Sequence, residues 1–239
     1  MSRYSKPINA VALLIIILIP IVMNAQSSTE KANAIAEKVM DAMGGKEHYN
    51  NTRFIKWDFA KRTLYWDKWT GDVRVESPEN KLVILVNINT LTGRVYENNV
   101  LVLDKEKQKK LLTQGKNWWI NDSYWLVMPW KLQDPGVTLS YLKTTVLPNA
   151  NKADVLQMTF ESVGVTPHNK YLIYIDQEDH LVKQWAYFKN FNDVEPAFVR
   201  PWDHYQQMGS ILLSFNRSDF GPTQVEVKQK MDEKIFTNL

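Results

Sequence analysis

From Ile55 the chain enters a series of runs in which apolar residues fall at every second position. Ile55, Trp57 and Phe59 alternate with Lys56, Asp58 and Ala60, and residues 63–66 continue in β-favouring types. A side-chain period of two is that of a strand with one face on a core. Further runs lie at 73–75, 82–86, 94–97 and 100–103, then at 155–162, 170–175, 181–190, 210–216 and 224–230. Gly71-Asp72, Thr92-Gly93 and Asn98-Asn99 supply turn chemistry between the earlier ones, and the polar stretch 176–180 makes a hairpin loop between two of the later ones. Parallel neighbours need a crossover of a dozen or more residues, usually a helix. Among the later runs no interval holds a helix long enough, which argues for an antiparallel sheet. The run at 82–86 (LVILV) is apolar throughout and suits a strand covered on both faces.

Ahead of the strands the period is near four. Ser27-Ser28-Thr29-Glu30 reads as a capping box. Ile35, Val39 and Met43 then form one face with Ala32, Ala36 and Met40, and Gly44-Gly45 ends the helix. A second helix begins at Asp104 and stops near Gly115, with the basic run 105–110 as its solvated face. The chain is thus expected to be one α+β domain over residues 26–239. Its core is a large curved antiparallel sheet, with two to four helices covering the concave face.

Residues 1–25 are set apart. Arg3 and Lys6 precede an apolar run from 10 to 23, broken by Pro20 and too short for the ~20 residues a spanning helix wants. This reads as a secretory signal cleaved after Ala25, which would deliver the protein to the periplasm or beyond. Met23 stands where a small residue is preferred, and the alternative is a retained N-terminal anchor. The formal charge is +3, and Arg3 and Lys6 supply two of it, leaving +1 after cleavage. A chain so close to neutral has no field to attract nucleic acid. With no cysteine it has no disulfide, thiolate metal site, thiol nucleophile or lipid-bearing cysteine.

Four tryptophans, Trp118, Trp119, Trp125 and Trp130, fall within thirteen residues, and Tyr124, Met128 and Tyr141 thicken the same region. Asp122 can cap a short helix over 123–128 that Pro129 ends. Tryptophan buries a large apolar area, so the segment is either a lid over an apolar site or a plug of the core. Catalytic signatures do not accompany it. Ser140-Tyr141-Leu142-Lys143 matches Ser-x-x-Lys, but in a strand rather than at the helix start that nucleophile needs. His48, His168, His180 and His204 are dispersed, and the acidic group Asp176, Glu178 and Asp179 with His180 reads as a solvated hairpin tip rather than a cation site. No cofactor or metal is called for.

Several strings resemble the LolA-like superfamily of periplasmic lipoprotein carriers. They are Met43-Gly44-Gly45-Lys46-Glu47 closing the first helix, the hairpin from Tyr174 to Lys183, and the stretch Trp202-Asp203-His204-Tyr205 through Gly209-Ser210-Ile211. Met231-Asp232-Glu233 to Phe236 also resembles that superfamily's closing segment. More narrowly, the strings from Trp119 to Leu126, Pro129 to Leu132 and Asp134 to Val137 resemble an uncharacterised exported family within it. The resemblance implies a half-open β-barrel capped by helices around an apolar cavity. It also implies an arginine inside the barrel that holds the lid, for which Arg53, Arg62, Arg74 and Arg94 are the candidates.

Taken together, the chain is expected to be a soluble, exported, monomeric binding protein for an acyl, lipid or lipoprotein ligand. Exposing an acyl chain to water costs about 0.8 kcal/mol per methylene, so carriage across an aqueous compartment needs a cavity and no catalyst. Trp57, Phe59, Leu85, Trp118, Trp125, Met128, Trp130, Tyr141, Trp185 and Tyr187 are the expected cavity wall and lid. The alternatives are an envelope interaction module that docks through its aromatic loop or sheet edge, and a lipid- or glycan-acting hydrolase using Asp203 and His204.

Overall fold

A computed structural model describes residues 11–161 and 164–239, with side chains from residue 27. Arg3, Lys6 and the start of the apolar run lie outside the described residues. Helix α1 spans Val11–Ala42, α2 Lys46–Asn51 and α3 Lys105–Val127. Among the described residues, fourteen strands follow the order expected of an antiparallel α+β protein. They are β1 Phe54–Phe59, β2 Arg62–Asp67, β3 Asp72–Ser77, β4 Leu82–Asn87, β5 Thr92–Glu97 and β6 Val100–Leu101. After α3 come β7 Val137–Val146, β8 Lys152–Phe160, β9 Lys170–Asp176, β10 Val182–Phe188, β11 Phe198–Pro201, β12 Asp203–Met208, β13 Ile211–Asn216 and β14 Thr223–Lys228.

The strands divide into hydrogen-bonded sets of seven (β14-β1-β2-β3-β4-β5-β6), five (β11-β10-β9-β8-β7) and two (β12-β13). Every pairing is antiparallel, and none of the sets closes on itself. The seven-stranded sheet comes mostly from the first half of the chain, with β14 returning to lie beside β1. On its inner face Trp57 faces Leu64, Leu64 faces Val75, and Val75 faces Ile84 across the strands. The apolar faces of α1 and α3 meet the inner faces of both larger sheets in one continuous core.

Two helices depart from the sequence expectation. Residues 27–30 form no capping box, because α1 runs through them from Val11 and leaves no free helix start to cap. Ser28 Oγ instead donates to the carbonyl of Tyr141 on β7, at 2.9 Å. Among the described residues no helix is long and apolar enough to cross a membrane.

The second departure is α3, one helix of 23 residues where two short ones were expected. Asp104 caps it, accepting from the Lys107 N–H at 2.7 Å. Gly115 does not stop it. That glycine lets the helix pack closely on the sheet, since a Cβ there would stand 2.6 Å from Ile84 Cγ2. Asp122 is not a cap either, because it lies inside the helix, fully buried. The Gly44-Gly45 ending does hold, with both glycines at positive φ and room at Gly44 for no side chain, the Ser210 carbonyl oxygen being 2.4 Å from a built Cβ.

Candidate functional site

An open cleft of about 450 Å³ lies between α3 and the inner face of the five-stranded sheet. A volume of this size falls within the ~300–1,000 Å³ of small-molecule sites. Its floor is the end of the sheet where Phe160, Tyr171, Tyr187 and Phe198 sit on adjacent strands, with Trp185 one step further in. The register explains the grouping, since Trp185 faces Ile173, Tyr187 faces both Tyr171 and Phe198, and Met158 faces Tyr171. Alternation then puts these rings on one face. The roof is the second half of α3, through Trp119, Tyr124 and Trp125, and the loop 131–137 closes one side. Residues 164–169 close another.

The rings pack on one another as well as on the space. Trp125 is stacked on Phe198 at 5.7 Å and meets Trp185 edge-on at 4.9 Å, so roof and floor touch. Tyr171 lies flat on Trp185 at 5.3 Å. The buried indole N–H of Trp185 has no hydrogen-bond partner. Its edge-on approaches to Trp125 and Trp202 place ring faces where a weak donor can be used.

Two arginines hold the roof in place. Arg62 of β2 forms a two-pronged pair with Asp122, at 2.8 and 2.9 Å, and its guanidinium lies 4.9 Å above the Trp118 ring. Burial pushes the Asp122 carboxyl up, while Arg62 and Asn121 pull it back. Arg217, after β13, is fully buried and lies 3.3 Å over the Trp202 ring. It donates to the carbonyl of Trp125 at 2.9 Å and to Ser214, near the end of α3 where carbonyls lack helical partners. Burial lowers the Arg217 guanidinium to about 9. Among the candidates raised by sequence, Arg62 is the one that touches the roof. Arg53 pairs with Asp67, Arg74 with Glu76, and Arg94 donates to the Thr237 carbonyl, all on the far face of the seven-stranded sheet.

Of the ten expected wall and lid residues, Trp125, Trp185 and Tyr187 line the cleft. Phe59 stands behind its wall, stacked on Trp125 at 5.4 Å. Trp57 and Met128 are fully buried in the core and do not reach the cleft. Trp130 is also core, stacked on Tyr49 at 4.6 Å because the turn after α3 folds it away from the opening. Trp118 faces Arg62 instead of the cleft. Tyr141 lies out on β7, bonded to Thr144 and covered by Lys31 at 3.4 Å. Leu85 points to the opposite face of its sheet, into a separate space of about 230 Å³ beneath Phe236. The all-apolar run 82–86 is thus covered on both faces, the outer one by the C-terminal segment.

The cleft also holds Tyr124, which was placed in the tryptophan segment but not in the wall, and Phe160, Tyr171, Phe198, Lys131, Asp134 and Asn169, which sequence reasoning did not single out. Phe160 and Tyr171 lay in expected strands, and alternation would have put each on an inner face. Asp203 and His204 are 4.0 Å apart on an exposed part of β12, and neither lines the cleft. Among the described residues, no three His, Cys, Asp or Glu side chains gather where they could hold a metal ion.

No family model matches the chain, and no curated protein matches it. The LolA-like resemblance therefore has no support from that side. Among solved structures, a DUF1329 family protein from Desulfovibrio piger ATCC 29098 is similar over 86% of this chain and 96% of that one, at 7% identity and a TM-score of 0.44. So distant a likeness carries no functional argument.

Proposed function

We propose that the protein binds a small apolar molecule, a single acyl chain or a compact ring system, in the cleft beneath α3. One observation carries the reading: eight aromatic side chains line one opening whose sole charged residues among those described, Lys131 and Asp134, neutralise each other in an ion pair of 2.9 Å. At about 30 Å³ per heavy atom, the share of one molecule in liquid water, a space of 450 Å³ holds roughly 15 heavy atoms. That capacity suits one chain and is too small for the two or three of a lipoprotein anchor. Shielding about 15 methylenes is worth roughly 12 kcal/mol before the costs of binding, ample for a carrier without chemistry. In this reading the sheets form a half-open barrel, α3 is its lid, and an export signal sends the protein to the periplasm.

The test is native mass spectrometry of protein purified from its own envelope, followed by titration with fatty esters and lipopeptides. Retention of one small apolar molecule, lost in Trp125→Ala, supports binding in the cleft. A clean unliganded mass with no uptake would refute it. The interaction-module reading keeps one observation of its own. Phe191 and Val194, between β10 and β11, are 58% and 87% exposed, an apolar tip with nothing over it.

A further inference from the structure

Three tyrosines meet at the end of the cleft, with Tyr171 between the other two. Its ring centroid is 5.7 Å from that of Tyr124 and 5.3 Å from that of Tyr187. Their hydroxyls are differently engaged. Tyr124 donates only to the Met158 sulfur, a weak acceptor, at 3.4 Å. Tyr187 Oη accepts from the buried Asn169 amide at 3.1 Å, which leaves its own hydrogen free. Asn169 is itself fixed by donating to the Lys189 carbonyl at 2.8 Å. Tyr171 Oη has no hydrogen-bond partner among the described residues. Two phenol donors therefore stand available in an otherwise apolar wall.

The charges nearby are closed to a ligand. Lys131, the cation of the lining, is taken by Asp134. A carboxylate or phosphate drawn in would lose its water and find no unpaired cation, a cost of several kcal/mol. A carbonyl or ether oxygen loses far less and gains the two phenols. Burial raises the Tyr171 phenol, so it keeps its hydrogen and stays a donor through the neutral range.

Resting on the reading of the cleft as an apolar binding site, we infer that its ligand carries an uncharged oxygen acceptor, an ester, amide or ketone carbonyl. Tyr171 and Tyr187 grip that oxygen, with Asn169 holding Tyr187 in place. A free carboxylate is refused.

Methyl laurate, with about the number of heavy atoms the cleft can hold, is the probe. It is titrated against laurate and tridecane at pH 7 by tryptophan fluorescence and calorimetry. The ester is expected to bind at least tenfold more tightly than laurate. Tyr171→Phe and Tyr187→Phe should each weaken ester binding about fivefold and leave tridecane unchanged. Laurate binding as tightly as the ester overturns the inference. So does equal binding of ester and tridecane, which leaves the apolar cleft standing and removes only the polar grip. If none of the three binds, both readings fall. The comparison among ligands uses the wild-type protein, so it holds even if a tyrosine variant folds poorly.

Discussion

The Arg62–Asp122 pair makes the sharpest prediction about how the roof of the cleft is held. Asp122 has 0% and Arg62 15% of its side chain exposed, and two hydrogen bonds of 2.8 and 2.9 Å join them. Removing one partner of such a pair costs about 3–5 kcal/mol, because the other is left buried and alone. Arg62→Met should fall within that range. Asp122→Leu should fall at its lower end, about 3 kcal/mol, since Arg62 keeps some exposure and the Trp118 face. The double variant replaces both charges by apolar groups and should lie within about 1 kcal/mol of wild type. Its loss is then smaller than the sum of the single losses, about 6–8 kcal/mol, by at least ~5 kcal/mol.

Urea unfolding followed by tryptophan fluorescence reads all four proteins. The pH dependence of Arg62→Met supplies a second check. Burial raises the Asp122 carboxyl, and without Arg62 less opposes that rise. A carboxyl whose folded pKa lies above its unfolded value binds more protons in the folded state, so stability falls as pH rises through that interval. Arg62→Met should therefore regain stability from pH 7 towards pH 4 more than wild type does. Single losses below about 1 kcal/mol that simply add in the double would refute the reasoning. The pair would then be incidental to the seating of α3.

Three further outcomes are expected. Trp130→Ala should cost about 3–5 kcal/mol of stability while the folded fraction binds ligand normally, whereas Trp125→Ala should lose more affinity than stability, as unfolding and ligand titration together will show. Burial, with Lys131 nearby, lowers the Lys68 amine to about 8, so between pH 8 and about 10.4 the unfolded chain holds more protons and stability rises with pH. Lys68→Met should remove that rise, and urea midpoints moving in parallel for both proteins would count against it. Gly115→Ala sets the ~1–3 kcal/mol cost of overpacking Ile84 against a helix-propensity gain of about 1, and should lower the urea midpoint slightly. A higher midpoint would mean that the helix has room to move.

Much of the secondary structure was legible because it is a local matter. The face of Ile35, Val39 and Met43 is buried, and Asn98-Asn99 turns the chain with both residues at positive φ. Where a local signal was absent, reading failed. Ala60-Lys61 makes the same kind of tight turn between β1 and β2, at φ of 47° and 64°, without a residue that announces it. Where a signal was present but met a partner far along the chain, it misled. Gly115 and Asp122 look like the end of one helix and the start of the next. Ile84 and Arg62 make them instead the close-packed and the anchored positions of one long helix.

The cleft shows the same division. From the sequence alone came an antiparallel α+β chain, a concentration of tryptophan near one place, and the absence of recognisable catalytic motifs, all of which depend on residue type and short spacing. Which aromatics face the opening was decided by the tertiary structure. Its roof is drawn from residues 117–125 and its floor from residues 160–198, and strand register sets which rings stand side by side. Periodicity tells a residue which face of its own strand it occupies. It cannot tell which strand will be its neighbour, because that choice is made by packing between segments distant in the chain.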